Sequence, residues 1–146
     1  MYEIANSVKD MNFVFFSLVM TKTKKQEIGK WGEEQAALFL IEHGYVIADR
    51  NFQIRAGEID IIAWHKKEHF GKTLCFVEVK TRSYGEGSAE RATGKSKIKK
   101  MFTTAKVYCF KNNIDMDNTP IQFEQVSVYI RSNGASEIKH YEILVV

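Results

Sequence analysis

Cysteine is scarce in this chain: 146 residues carry only Cys75 and Cys109. The two stand far apart, and neither has a second Cys or His at the spacing of a structural zinc site, so a disulfide framework and a zinc knuckle are both excluded. Buried free thiols in a reducing cytosol are the expectation. The histidines at 43, 65, 69 and 140 are equally scattered, and His65 and His69, flanking a Lys-rich stretch, read as exposed turn residues. Long apolar runs are missing too. Met11 to Met20 (MNFVFFSLVM) is about half of the ~20 residues that a bilayer-spanning helix requires, so it is no membrane anchor. Lys9 is offset by Asp10 and no small-residue cleavage site follows, which argues against a signal peptide. Residues 1–19 are therefore read as a disordered or upstream extension, and the protein as cytoplasmic. There is no strong charge of one sign: the formal net charge of +3 permits a polyanionic partner without demanding one. Repeats and low-complexity tracts are absent as well.

What is present is a chain with 45% hydrophobic residues, enough for one ordinary α/β core and one domain, placed at residues 25–146. Lys25 to His43 reads as a helix with Ala37, Leu40 and Ile41 on one stripe and Gly44 as its stop. Glu33 falls on that same stripe, so a carboxylate is aimed along the face that meets the core. Such a charge must reach the sheet edge or find a partner. Strand-like runs follow at Tyr45–Phe52, Glu58–Trp64 and Thr73–Thr81, separated by the Arg55-Ala-Gly57 turn and a polar loop over His65–Lys72. Short connections favour an antiparallel meander. Ser83 to Gly94, with glycines at 85, 87 and 94, reads as a loop into a second helix over Lys95–Asn112, whose stripe is Ile98, Met101, Phe102, Ala105 and Cys109. After the turn at Pro120, strands at Ile121–Ile130 and Ile138–Val145 flank the hairpin signal Asn133-Gly134. The expected class is α/β (mixed α+β), with elements in the order α-β-β-β-α-β-β.

Chemistry concentrates on two of the strands. Alternation along the third puts Glu78 and Lys80 on one face and Val77 and Val79 on the other. On the second, Glu58, Asp60 and Ile62 share a face, as do Ile59, Ile61 and Ala63. Antiparallel pairing brings Asp60 beside Glu78, and two such carboxylates repel unless a cation lies between them. Their oxygens suit Mg²⁺ or Mn²⁺. The Val79 main-chain carbonyl is a further candidate ligand, and Glu33 can join directly or through water. With a metal present, Lys80 is placed to orient a water or to stabilise developing negative charge, as phosphodiester hydrolysis requires. A solvated cross-strand pair would account for Glu78 and Lys80 alone. The apolar flanks (Ile59, Ile61, Ile62, Phe76, Val77, Val79) argue otherwise, because acids in a buried central sheet need a reason.

The segments Gly29-x-x-Gly32-Glu33-x-x-Ala36, Arg50-Asn51-Phe52, Gly57-Glu58-Ile59-Asp60-Ile61-Ile62-Ala63 and Phe76-Val77-Glu78-Val79-Lys80-Thr81-Arg82 resemble the YraN (UPF0102) family of bacterial proteins, over roughly Gly29 to Ile130. That family is similar to the PD-(D/E)xK nucleases and especially to the archaeal Holliday-junction resolvases. The resemblance implies a restriction-endonuclease-like core, a central mixed sheet of about five strands flanked by helices. In it Glu33, Asp60, Glu78 and Lys80 take the helix-acid, first-strand acid, second-strand acid and lysine roles. Lys97 matches a basic position of the family facing phosphate. The proline that names the superfamily is replaced by Ile59. A homodimer is implied by the resolvase analogy alone.

A substrate surface is suggested by the second helix. Arg91, Lys95, Lys97, Lys99, Lys100, Lys106 and Lys111 occur with no acid among them, directly after the candidate catalytic strand. A solvated helix face explains Lys99, Lys100 and Lys106 equally well; Lys97 differs in lying along the edge of the apolar stripe. Arg82 continues the Glu78 and Lys80 face, and Tyr84 is a loop aromatic that either stacks on a base or packs locally. Trp31 and Trp64 read as core or core-edge residues. No feature reads base sequence, so structure-selective or nonspecific binding of nucleic acid, DNA rather than RNA, is expected in place of recognition of a defined site. The leading expectation is an Mg²⁺- or Mn²⁺-dependent endonuclease acting on branched or repair intermediates. A non-catalytic nucleic-acid-binding module of the same fold and a purely structural interaction domain stand as alternatives.

Overall fold

The computed structural model describes residues 22–83 and 94–144. The extension at 1–19, Tyr84, Gly85, Gly87, Arg91 and the expected strand end at Val145 lie outside the described residues. Among the described residues seven elements occur: α1 (Lys22–Glu42), β1 (Val46–Ile54), β2 (Gly57–Lys67), β3 (Gly71–Ser83), α2 (Lys95–Lys111), β4 (Ile121–Ile130) and β5 (Ser136–Ile143). Their order is the one expected from the sequence. The strands form one sheet in the order β1-β2-β3-β4-β5. β3 and β4 pair in parallel and the other neighbours antiparallel, so the sheet is mixed and α2 is the crossover that a parallel pair needs.

Local chemistry sets the element ends. Gly44 adopts a left-handed φ of 87° after α1, and the following Tyr45 N–H returns to the Leu40 carbonyl at 2.9 Å while Gly44 N–H reaches Ile41 at 3.1 Å. Both bonds satisfy carbonyls that the last turn leaves open. Gly134, at φ 81°, closes the expected β4–β5 hairpin. The loop expected over His65–Lys72 contracts to a turn at 68–70, because both strands run on. Lys66 and Lys67 look like loop residues, yet the Lys67 ammonium reaches across the sheet to the Tyr45 hydroxyl at 2.8 Å and to Glu124 at 3.3 Å. His65 is likewise no turn residue. It sits in β2, stacked on Tyr45 with ring centroids 4.0 Å apart.

Each helix covers one face of the sheet. Trp31, Ala36, Ala37 and Leu40 of α1 pack on Ile61, Ala63, Cys75, Val77, Val126 and Val128. Met101, Ala105, Tyr108 and Cys109 of α2 pack on Ile59, Ile62, Leu74, Phe76 and Phe123. Burying each large aliphatic or aromatic side chain contributes roughly 1.5–3 kcal/mol, which makes these two layers the main source of stability. Ile41 departs from the expected stripe: it is 53% exposed, and Ala36 takes its place inside. Phe102 of α2 is also partly exposed. Both cysteines are buried and free, as expected, and Trp31 is buried.

The largest departure from simple alternation lies in β1 and β2 together. Ile59 packs on the α2 side with Ile62, whereas Ile61 and Ala63 pack on the α1 side, so the expected Ile59-Ile61-Ala63 face does not exist. The phase changes at Asp60. Across the ladder, Arg50↔Ile61 and Phe52↔Ile59 bracket Asn51, whose φ is 53°. Arg50 meets Glu34 of α1 at 2.7 Å, while Phe52 packs edge-on against Tyr108 of α2. A left-handed residue reverses the side to which its strand's side chains point, and asparagine tolerates it better than most. The paired reversal at Asn51 and Asp60 releases both polar side chains from the regular pleat just where the candidate site lies.

Candidate functional site

The β2–β3 ladder ends at Ile61↔Val77, whereas β3 continues to pair with β4 as far as Ser83. β3 thus parts from β2 one residue before Glu78, opening a fork. Asp60 fills it: its Oδ2 accepts the Val79 N–H at 2.8 Å, taking the place of a ladder partner. In an extended strand the N–H and C=O of one residue point to the same side. The Val79 carbonyl therefore also faces the fork, past the last β2 pair.

Around the fork lies a cleft of about 500 Å³ whose walls include Glu33, Glu78, Val79, Lys80, Arg82 and Lys97. Six of the expected site residues are thus brought together, from α1, β3 and α2. Asp60 does not line the cleft; it reaches it through Val79. Lys95, Lys99 and Lys100 are exposed on α2, and Lys100 borders a neighbouring recess with Gly57, Glu58 and Lys97.

Glu33 is seated by a close approach of α1 to β3. A Cβ on Gly32 would collide with the Thr81 hydroxyl, so glycine lets the helix lie this near the strand. The Glu33 carboxyl is raised above its ordinary value by burial, opposed by a hydrogen bond from Asn51 and by the Arg50 charge, and pushed up again by Glu58 and Glu34. Asp60 is affected more. Burial raises it, the Val79 N–H lowers it, and Glu33, Glu78 and Glu58 raise it further, to about 7. Glu33, Glu78 and Glu58 thus crowd Asp60, although Lys25, Lys80, Arg82 and Lys97 line the neighbouring cleft, and an acid so placed favours uptake of a proton or a metal ion. Glu78 is 8% exposed and makes an ion pair with the Lys97 ammonium. Among the described residues no three His, Cys, Asp or Glu converge in a ready-made metal cage.

Two parts of this arrangement escaped sequence reasoning. Asn51, which bonds Glu33, stands in the quoted Arg50-Asn51-Phe52 segment, but its left-handed backbone has no local signal there. The second is a polar cluster on the α1 side of the sheet. The buried Glu124 receives the Tyr45 hydroxyl at 2.6 Å, lies 2.6 Å from His140 Nε2 and pairs with Lys67. Burial pushes the Glu124 carboxyl up, but His140, Tyr45, Cys75 and Lys67 together hold it at about 2. Its members come from separate elements, so no spacing in the sequence announces it.

Residues 32–128 match the family described as Uncharacterised protein family UPF0102, a span containing all of Glu33, Asp60, Glu78, Lys80 and Lys97. A UPF0102 protein of Chlorobium phaeobacteroides is 38% identical over 117 residues, covering 80% of this chain and 87% of the relative. One of Acetivibrio thermocellus is 36% identical over 131 residues, covering 88% of this chain and 95% of the relative. A third, of Sulfurimonas denitrificans, is 45% identical over 89 residues, covering 61% of this chain and 76% of the relative. With a family match that runs from Gly32 to Val128 and relatives of this identity and coverage, this chain belongs to the UPF0102 (YraN) family.

Proposed function

We propose that the protein is a divalent-metal-dependent endonuclease that hydrolyses phosphodiester bonds in DNA, selecting branched or repair intermediates by their shape. One observation carries the reading: Asp60 is bound to the backbone of Val79 within Glu78-Val79-Lys80, at a fork where carboxylates crowd and one of them is raised to about 7. The oxygen donors Asp60, Glu78 and the Val79 carbonyl, with Glu33 beside them, fit a hard cation such as Mg²⁺ or Mn²⁺. When bound, such an ion supplies charge neutralisation at the phosphate and a more acidic water. Lys80, in the cleft wall with Glu33 and Glu78, orients the attacking water and stabilises charge on the phosphate oxygens. Arg82 and Lys97 at the rim, and Lys95, Lys99 and Lys100 farther along α2, contact the phosphate backbone. Nothing in this set distinguishes one base from another, which supports selection by shape.

Purified protein incubated with flap, four-way-junction and single-stranded DNA, with Mg²⁺ or Mn²⁺ or with chelator, tests the proposal. Metal-dependent cleavage is expected, falling to background in Asp60→Ala and Glu78→Ala. No cleavage, or cleavage unchanged in both variants, would overturn it. A second reading, a nucleic-acid-binding module without turnover, is favoured by the Lys97–Glu78 ion pair, which neutralises one acid without any metal. Salt-sensitive DNA binding that persists in both alanine variants, with no heat of metal binding, would select that reading.

A further inference from the structure

The Lys97–Glu78 contact joins a residue proposed to hold phosphate to one proposed to hold metal, and these two assignments exclude each other while the pair stands. Glu78 is almost fully buried on β3, with little freedom to move, whereas the Lys97 side chain is 53% exposed at the start of α2. Lys97 is therefore the partner that can leave. It also borders both the main cleft and the recess formed with Gly57, Glu58 and Lys100, so a displaced side chain has a second space to enter. α2 has no acidic residue in its first turn to capture it, and its N-cap, Gly94, offers no side chain.

Resting on the nuclease reading above, we infer that Lys97 is an exchangeable counter-ion: it occupies Glu78 until a divalent cation arrives, and on displacement it becomes a phosphate contact. The exchange balances charge. The acids lose an ammonium as they gain a cation, and the freed ammonium meets the anion that the substrate brings. Metal and DNA are then bound cooperatively, because each stabilises the arrangement in which Lys97 has left Glu78. By the same exchange, metal uptake without DNA is held below what the carboxylates alone would give.

The test compares metal affinity without DNA in the full chain and in Lys97→Met, by Mn²⁺ titration calorimetry, with Lys106→Met as a control for the loss of one charge from the same helix. A partly exposed ion pair competes only modestly, so Lys97→Met is expected to bind Mn²⁺ about two- to fivefold tighter. Lys106→Met is expected to match the parent. A second measurement uses junction DNA with Ca²⁺ or chelator: the parent gains DNA affinity with the metal, and in Lys97→Met that gain shrinks. Mn²⁺ affinity equal in the parent and in Lys97→Met would overturn the exchange while leaving the metal site standing. Equal tightening in Lys97→Met and Lys106→Met would reduce the effect to general charge and overturn it as well. Mn²⁺ binding by none of the three proteins would overturn the metal reading and, with it, the exchange.

Discussion

Glu124 on β4 and Asp60 on β2 are both carboxylates drawn out of water by the same sheet, yet Glu124 gathers partners from β2, β3 and β5 as well as Tyr45, whereas Asp60 gathers a single N–H and three neighbouring acids. Burial acts on both in the same direction and is the largest influence on each. What differs is compensation. At Glu124, donors overcome desolvation and the carboxyl falls to about 2; at Asp60 they do not, and it rises to about 7. A buried acid fully supplied with partners ties strands together, and an undersupplied one retains an appetite for a cation. The two carboxylates thus differ in the partners that surround them and not in their burial.

Removing Glu124 should break the first half of the comparison with the largest effect. Glu124→Ala strands Lys67, His140 and the Tyr45 hydroxyl in a mostly buried space, and a loss of about 4 kcal/mol is expected in urea denaturation. A loss under about 1 kcal/mol would show that the cluster is not structural.

The pH dependence of stability sharpens the contrast, because the two acids predict opposite slopes. Asp60 is raised from its ordinary 3.8 to about 7, so the folded state holds its proton more tightly than the unfolded chain. Its contribution is greatest below about pH 4 and is lost as pH rises through 7. At roughly 1.4 kcal/mol per unit, less an allowance for partial solvent access, this comes to about 3 kcal/mol, and Asp60→Asn should flatten that limb of the curve. Glu124 is lowered from 4.5 to about 2, so its contribution is complete above 4.5 and lost as pH falls through 2. Denaturation midpoints from pH 2 to 8 in the parent and in Asp60→Asn read both limbs. Curves that superimpose between pH 4 and 7 would contradict the account.

Two smaller perturbations address how the acids are crowded. Gly32→Ala drives a methyl group into Thr81 and should cost about 2 kcal/mol, with Glu33 moved away from the fork. Loss of stability with unchanged metal affinity would remove Glu33 from the site. Asn51→Gly keeps the left-handed backbone but deletes the hydrogen bond to Glu33, and about 1 kcal/mol or less is expected. Its clearer readout is the Glu33 carboxyl, which should rise further once that bond is gone.

The order of elements and the segments carrying Asp60 and Glu78-Val79-Lys80 were legible in the sequence because period-two runs of Ile and Val and the glycine punctuation are local signals. Gly44 and Asn133-Gly134 announced their turns for the same reason. What was not legible depends on contacts between distant residues. Ile59 changes face because Asn51, opposite Asp60, turns left-handed, and neither residue type enforces that by itself. Lys67 extends β2 because Tyr45 and Glu124 wait for its ammonium across the sheet. Glu33 was rightly marked as an odd charge on an apolar stripe, but its partner Asn51 lies on another element. By sequence alone Glu78 and Lys97 had separate tasks, and only the fold brings them into contact.

The central claim, that Asp60 is undersupplied with positive charge until a metal ion joins it, is tested most directly by following its side-chain carboxyl carbon by NMR across pH, with and without Mg²⁺. The account predicts titration near pH 7 in metal-free protein and a marked downward shift when Mg²⁺ is added. Titration near 4 without metal, or a midpoint near 7 that Mg²⁺ leaves unmoved, would contradict it.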